Sequence, residues 1–157
     1  MSITIRLATP ADAFDMAEVG ARSFETVFRD ILPEKYIREK KATYPSLYSC
    51  IITDKNTTHY VIQKDSKTIC ITCVTPPVTP PIDDNVGDNY CELGGIWLHP
   101  DYFRQGIGTK AMSLIFDTVR SQGKKVMLAW ALEKTLPSLN FMKNAGLLPM
   151  EKQHQLM

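Results

Sequence analysis

The sequence lacks the features that mark membrane, secreted and nucleic-acid-binding proteins. No segment approaches the roughly 20 consecutive apolar residues that a membrane-spanning helix needs. Residues 1–5 have neither the basic region nor the apolar run of a signal peptide. The 18 basic and 17 acidic residues give a formal net charge of +1, so there is no excess positive charge for nucleic-acid phosphates. We therefore expect a cytoplasmic protein with no membrane and no nucleic-acid partner.

Cysteine is also scarce, and its spacing does not predict a metal site. Of Cys50, Cys70, Cys73 and Cys91, the middle two have the spacing of half a zinc site, but no second pair follows. They lie in the alternating run 68–74, which indicates a strand. Because residues three apart on a strand point to opposite faces, the two sulfurs could not share one ion. We expect no metal and reduced strand or core cysteines.

The composition that is present is typical of one soluble domain, because 157 residues with 44% hydrophobic and 22% charged side chains can bury a single core. Apolar spacing predicts a mixed α/β chain. The predicted strands are 3–7, 58–64, 67–75, 90–98 and 125–132, with one or two more in the tail 147–157. The predicted helices are 10–28, 33–43, 106–121 and 136–144, with a short helix over 47–52 left open. The proline-rich segment 76–89 is predicted to be a loop.

Local residues support several of these boundaries. Thr9 can cap the first helix, Pro10 suits its first position and Asp12 favours its positive end. Residues 65–67 indicate a tight turn between two strands, and Gly146 can end the last helix in a left-handed conformation. Helical spacing predicts that the first helix buries one apolar face, formed by Phe14, Ala17, Ala21, Phe24 and Phe28.

A glycine-containing turn, residues 105–109, lies where a predicted strand leads into a helix. Backbone N–H groups at such a helix start point outward, and the helix dipole adds positive charge. Glycine lets a phosphate approach these groups closely. The Gly-Lys-Ser/Thr ending of a Walker loop and the third glycine of a dinucleotide fingerprint are both missing. Phosphate binding and an ordinary helix start therefore remain alternatives on this turn alone.

The surrounding residues resemble a known family. Residues 91–109, CELGGIWLHPDYFRQGIGT, resemble the coenzyme A motif of the GNAT N-acetyltransferase superfamily. Residues 135–147, TLPSLNFMKNAGL, resemble that family's Asn-x-x-Ala-x-x-Phe-Tyr-x-x-x-Gly-Phe segment. The resemblance implies a single N-acetyltransferase domain over 1–157 that uses acetyl-CoA as cosubstrate. Its fold would be a twisted, mostly antiparallel mixed sheet of six to seven strands, splayed between strands 4 and 5 and flanked by four helices.

The same resemblance implies a set of cofactor contacts. The backbone at Ile96, Trp97 and Leu98 would bond the pantetheine arm, and Ile96 and Leu98 would offer N–H groups to the thioester oxygen. A bulge at Gly94-Gly95 would splay the strand, although these glycines could instead make room for a neighbouring helix. The remaining predicted cofactor contacts are Arg104, Gln105, Gly106, Ile107, Gly108 and Thr109 for the pyrophosphate, and Thr135, Ser138 and Phe141 from the second segment.

Two positions depart from the family pattern. Phe103 stands where Gln or Arg is usual, which matters little if backbone amides hold the cofactor. Met142 replaces the usual tyrosine general acid and cannot donate a proton. A thiolate can still leave without an acid, because a thiol has a pKa of about 8.5.

Deprotonation of the acceptor then requires a base. Glu92 matches the catalytic glutamate of histone-type members, and a simple strand carboxylate is the alternative reading. His59 and His154 are weaker candidates that we expect to be ordinary strand residues, and His99 is expected to have a structural role in its turn.

The resemblance places the acceptor between the first two helices and the loop after the third strand. Acidic residues there would suit a primary amine such as a polyamine or an amino-acid-like compound, and the predicted acceptor contacts are Glu25, Phe28, Asp83 and Asp84. A catalytically weak CoA-binding regulatory module and a protein or peptide amine acetyltransferase remain alternatives. Acetylation of aminoacyl-tRNA is disfavoured by the net charge of +1. A homodimer is left open.

Overall fold

The computed structural model describes residues 2–77, 89–131 and 135–147. Five strands form one sheet in the order β1-β2-β3-β4-β5. The first four are antiparallel neighbours, whereas β4 and β5 are parallel. Their bounds are Ile3–Leu7 for β1, Thr58–Lys64 for β2, Lys67–Thr75 for β3, Tyr90–Leu98 for β4 and Val126–Ala129 for β5.

Four α-helices cover the sheet: α1 at Ala13–Phe28, α2 at Glu34–Ile51, α3 at Ile107–Ser121 and α4 at Leu136–Asn144. Buried α1 and α2 residues form one apolar cluster with Val61 and Ile71. Buried α3 residues form a second cluster with Ile62 and Cys70. Because successive strand residues point to opposite faces, α1 and α2 lie on one face of the sheet and α3 lies on the other.

The described residues contain five strands, not the six to seven expected. The additional strands were expected in the tail 147–157, of which 148–157 lies outside the described residues. The fifth strand is also shorter than the predicted 125–132. It ends at Ala129, and Trp130 is then 51% exposed, so the apolar run is not covered over its whole length.

Helix α2 joins two segments that were predicted separately. It runs from Glu34 to Ile51 with Pro45 inside it. Ile37, Tyr44 and Tyr48 share its buried side, whereas Pro45 is exposed and removes only one helical hydrogen bond. The packing of the tyrosines against α1 therefore outweighs the helix-breaking proline. Gly20 of α1 permits this packing, because a Cβ there would lie 2.9 Å from Cε1 of Tyr44.

The predicted apolar face of α1 is wrong at Phe14, which is 76% exposed. A short 3-10 helix, Pro10–Asp12, precedes α1, which begins at Ala13. Ala17 and Phe24 are buried as predicted, and Met16 is buried as well. The buried stripe therefore follows residues 16, 17, 20, 23 and 24, and Phe14 lies away from it.

The start of α1 is tied to β1 by Asp12. Both guanidinium NH groups of Arg6 donate to its carboxylate, each at 2.8 Å, and the backbone N–H of Thr9 donates at 2.7 Å. Thr9 and Asp12 also form a capping box. The hydrogen bond from Arg6, followed by those from Thr9, lowers the pKa of Asp12 to about 2 despite its burial. The predicted helix start is confirmed, and the ion pair with Arg6 was not foreseen.

Candidate functional site

Strand β4 contains a bulge at the predicted place. Cys73 of β3 is opposite Gly95, whereas the next residue, Val74, is opposite Leu93, so Gly94 is an extra residue in β4. A Cβ at Gly94 would lie 2.6 Å from Sγ of Cys73. The glycine therefore makes room for a strand cysteine, and the alternative of a neighbouring helix is wrong.

The ladder between β4 and β5 ends at this bulge. The paired residues run from Tyr90 with Val126 to Leu93 with Ala129. Beyond them β4 continues to Leu98, whereas β5 has ended. On the β5 side, residues 94–98 thus have no strand partner within the described chain. The family resemblance implies a separation between strands 4 and 5 at this position.

The turn after β4 is held by its own side chains. His99 caps the 3-10 helix Pro100–Tyr102, since its Nδ1 accepts from the Asp101 N–H at 3.3 Å. Nε2 of Gln105 donates to the carbonyl of Asp101 at 2.8 Å. The structural role predicted for His99 is confirmed.

Two residues with a left-handed backbone conformation connect the same turn to α3. Arg104 has φ of 58° and Gly106, the N-cap of α3, has φ of 75°. The first intrahelical bond runs from the N–H of Lys110 to the carbonyl of Gly106 at 3.1 Å. The N–H groups of residues 107–109 precede it and point out of the helix end.

This helix start suits an anion. No acidic residue lies in the first turn of α3, and Arg104 is exposed beside it. A Cβ built on Gly106 meets no atom within 4 Å, so the approach to the amides is open. Amides, helix dipole and an adjacent guanidinium together fit a phosphate group.

Helix α4 brings the second predicted segment to this turn. A Cβ at Gly108 would lie 2.7 Å from Cε2 of Phe141, so the half-buried phenyl ring packs directly on the first turn of α3. Thr135 is buried and Ser138 is half-buried. Met142 is half-buried on α4.

The C-terminus of α4 has the predicted stop. Gly146 has φ of 91°. Its N–H donates to Lys143 and the N–H of Leu147 donates to Met142, which is the Schellman arrangement. The prediction for Gly146 is confirmed.

Glu92 lies on the face of β4 that looks toward α1 and α2. Its neighbours Cys91 and Leu93 belong to the α3 cluster, so alternation places Glu92 on the opposite side. Only 8% of Glu92 is exposed. Trp97 lies on the same face, and its ring is 6.1 Å from that of Phe24 and 6.4 Å from that of Phe28.

An apolar groove of about 400 Å³ lies beside these rings, lined by Phe24, Phe28, Leu32, Pro33 and Tyr36. The predicted acceptor residue Phe28 therefore belongs to it. Glu25 instead forms an ion pair with Lys41, and the hydrogen bond from Lys41 lowers the pKa of Glu25. Asp83 and Asp84 lie outside the described residues.

His59 is the residue of this face that sequence reasoning undervalued. It is 7% exposed in β2, and burial lowers the pKa of its imidazole. Its Nε2 has no hydrogen-bond partner among the described residues. No sequence signal distinguishes it from an ordinary strand histidine, because its burial depends on α1 and α2. His154 lies outside the described residues.

Cys70 and Cys73 point to opposite faces of β3, as expected for residues three apart on a strand, whereas Cys50 is exposed on α2, where a strand or core cysteine was expected. All four are free, and Cys70 belongs to the α3 cluster while Cys73 lies next to Gly94 and lines the opposite face. Across 2–77, 89–131 and 135–147, no three His, Cys, Asp or Glu residues are grouped as metal ligands. Within the same ranges, none of the helices is both long enough and apolar enough to span a bilayer.

Comparison with known proteins agrees with this geometry. A family model described as the acetyltransferase (GNAT) family matches residues 24–147. The fold is similar to that of the PaiA N-acetyltransferase of Thermoplasma acidophilum in complex with coenzyme A, at a TM-score of 0.79 and 18% identity over 98% of this chain and 94% of that one.

Two further solved structures share the fold. A possible acetyltransferase from Clostridium difficile 630 has a TM-score of 0.74 and 12% identity, over 98% of this chain and 95% of that one. An aminoglycoside 6′-N-acetyltransferase from Acinetobacter baumannii has a TM-score of 0.66 and 14% identity, over 97% of this chain and 95% of that one. A search of curated proteins found no match.

Proposed function

The chain belongs to the GNAT acetyltransferase family, an acyl-CoA-dependent group of N-acyltransferases that use acetyl-CoA, and we propose that it acetylates the primary amine of a small molecule. The observation that carries this proposal is the position of three features along one stretch of chain. The β4 bulge, the end of the β4–β5 ladder and the anion-binding start of α3 follow one another within residues 93–109.

The residues of this stretch would hold acetyl-CoA in two places. The first-turn amides of α3 and Arg104 would bind the pyrophosphate, with the Phe141 ring packed on Gly108 beside them. The backbone of residues 96–98 would bond the pantetheine arm, because the β5 side of this stretch has no strand partner in the described chain. Bound acetyl-CoA supplies an acetyl group activated as a thioester.

Glu92 is the base in this proposal. An alkylamine has a pKa of about 10 and is mostly an unreactive ammonium at neutral pH. Glu92 is buried on the face of β4 that carries Trp97, two residues before the bulge at Gly94. Its carboxylate can take the ammonium proton directly or through water. Met142 cannot donate a proton, so either another group does so or coenzyme A leaves as the thiolate. In the second case the proton that the attacking nitrogen loses on forming the amide goes to that thiolate or to water.

The described acceptor side favours an amine carried on an apolar group. Phe24, Phe28 and Trp97 form an aromatic wall next to β4, and the adjoining groove has no acidic lining residue within the described chain. Glu25 is already paired with Lys41. A polyamine would need acidic partners from outside these residues.

Release of coenzyme A thiol from acetyl-CoA tests the proposal. The amine panel would contain phenethylamine, hexan-1-amine, spermidine, an aminoglycoside, an amino acid amide and a lysine-containing peptide. We expect turnover with small primary amines and a preference for those that carry no second charge. Binding of coenzyme A without thiol release for any amine would contradict the proposal and favour a regulatory module, and turnover restricted to the peptide would favour protein acetylation.

A further inference from the structure

A second cavity lies between the sheet and the helix pair α1 and α2. Its volume is about 150 Å³, and its walls come from α1, α2, β2, β3 and β4. Gly95 and Trp97 line it at the β4 end, and His59 lines it at the β2 end. The cavity therefore extends from the bulge across the sheet.

His59 is fixed at the far end by the sheet itself. It pairs with Cys73, which pairs with Gly95, so the three residues form one row across three strands. Its carbonyl also accepts from the N–H of Ala8 at 2.9 Å. Two strand spacings separate His59 from Gly95, roughly 10 Å.

The imidazole of His59 has unused hydrogen-bonding capacity where it lines the cavity. Nε2 is buried and has no partner in the described chain. Buried polar atoms are normally paired, and an orphan calls for a missing partner. The cavity is large enough for a small organic group, since one water occupies about 30 Å³ of liquid.

We propose that this cavity is a subsite of the acetyl acceptor, in which Nε2 of His59 hydrogen-bonds an uncharged polar group, such as a hydroxyl, remote from the reacting amine. The inference rests on the proposed acetyl transfer. The amine lies near Gly95, the connecting carbons pack against Trp97, and the polar end reaches His59. Trp97 also contacts the aromatic residues of the groove, so both compartments share this wall.

The surroundings of His59 decide between binding and proton transfer. His59 is roughly 10 Å from Gly95, across two strand spacings, and so lies away from the reacting amine; burial also lowers the pKa of its imidazole and favours the neutral form. The cavity is also lined by the apolar side chains of Ile71, Met16 and Ile51. Apolar surroundings disfavour a charged group on the remote end of the acceptor. A hydrogen bond between the neutral imidazole and an uncharged group of the acceptor agrees both with the state of His59 and with the apolar lining of the cavity.

The direct test follows the ring nitrogens of His59 by NMR in the wild-type protein saturated with coenzyme A. The two probes are 5-aminopentan-1-ol and hexan-1-amine, which match in length and differ in a hydroxyl against a methyl group. We expect the amino alcohol to shift the Nε2 resonance saturably and the alkylamine to leave it nearly unchanged. An Nε2 resonance that moves with neither probe would overturn the subsite.

The second test compares the kcat/KM values of the same two amines. In the wild type, kcat/KM should favour the amino alcohol by roughly tenfold or more, since a site built for a hydroxyl disfavours its absence. His59→Leu should abolish this preference for the amino alcohol, and His59→Gln should restore part of the preference. Thr68→Val is the matched control, because Oγ1 of Thr68 is also a buried atom without a partner in the described chain but does not line the cavity.

The outcomes separate the two proposals. Equal kcat/KM for the two amines in both the wild type and His59→Leu would contradict the subsite while leaving acetyl transfer intact. Absence of turnover with every amine would contradict the proposed function, and the NMR titration would still test the cavity. Variants of His59 are compared only where thermal unfolding shows that they are folded.

Discussion

The two faces of the sheet are built in different ways. On the α3 face, the features that would hold the cofactor are backbone groups: the left-handed Gly106 and the amides of residues 107–109. On the face covered by α1 and α2, the surfaces next to β4 are side chains from several elements, including Phe24 and His59.

This difference determines which amino-acid substitutions each face tolerates. A backbone site depends on the absence of side chains, so adding one carbon at a glycine is expected to damage it more than changing a neighbouring side chain. A side-chain site depends on which groups point inward, so isosteric exchange is expected to change chemistry without changing cofactor binding. Each prediction below tests one side of this contrast.

The largest effect is expected at Glu92. Glu92→Gln keeps the shape of the side chain and removes the base, so kcat should fall about 100-fold, within the usual range for loss of a general base. The affinity for coenzyme A, measured by calorimetry, should stay within about twofold of the wild-type value, since Glu92 faces α1 and α2. A parallel loss of cofactor affinity would show that the two faces are not separate.

The next effect concerns the attachment of α1. The pKa of Asp12 falls from 3.8 to about 2 on folding, which corresponds to about 2 kcal/mol of stability. Because the folded pKa is the lower one, this stability is present above the unfolded pKa and is lost as pH falls from about 4 to about 2. Asp12→Asn should lower the free energy of unfolding by about 2 kcal/mol at pH 7.

Urea unfolding between pH 2 and 7 measures this change. Asp15→Asn is the matched control, because Asp15 is an exposed acid in the first turn of the same helix and should change stability little. An equal decrease in the free energy of unfolding for both variants would show that the hydrogen bonds from Arg6 and Thr9 to Asp12 do not stabilise the attachment of α1. Cofactor affinity of the folded Asp12→Asn protein should equal that of the wild type.

A smaller effect is expected at the start of α3. Gly106→Ala places a methyl group in the open approach to the amides and should weaken coenzyme A binding roughly tenfold, about 1.4 kcal/mol. Gly123→Ala is the control at the other end of the helix, since Gly123 also has a positive φ, 82° against 75°, and also open space around its Cβ.

The two glycine variants should lose similar stability, about 1 kcal/mol each, from the left-handed conformation alone. Calorimetry should find the affinity loss only in Gly106→Ala. Equal affinities of the two variants for coenzyme A would contradict binding at the amides of residues 107–109.

The smallest effect is expected in the β2–β3 hairpin, which belongs to neither site. Asp65 and Ser66 both have positive φ, 49° and 67°, as a type I′ turn requires. Ser66→Gly should therefore raise the free energy of unfolding by about 0.5 to 1 kcal/mol. Thermal unfolding measures the gain, and a loss of stability would show that the turn is not strained. Cofactor affinity and turnover should not change.

The same contrast explains what the sequence could predict. Gly106 and Gly146 have backbone roles that depend on residues adjacent in the chain, and the helix start and the helix stop are found where they were predicted. The bulge at Gly94 lies where the family resemblance implies it, although its glycine is required by Cys73 of the neighbouring strand. The capping of the first helix by Thr9 and Asp12 is local in the same sense.

What sequence reasoning missed depends on contacts between distant segments. The continuation of α2 through Pro45 requires Tyr44 and Tyr48 to pack on Gly20. Glu25 was assigned to the acceptor, yet Lys41, sixteen residues away, pairs with it. The buried orphan nitrogen of His59 likewise follows from the helices above it. Side-chain sites of this kind have no local signal.

A crystal structure with coenzyme A tests the central claim most directly. The account predicts that the pyrophosphate oxygens lie about 3 Å from backbone nitrogens of residues 104–109, with the pantetheine arm alongside residues 96–98 of β4. A pyrophosphate bound away from the start of α3, or a pantetheine arm that does not enter between β4 and β5, would contradict it.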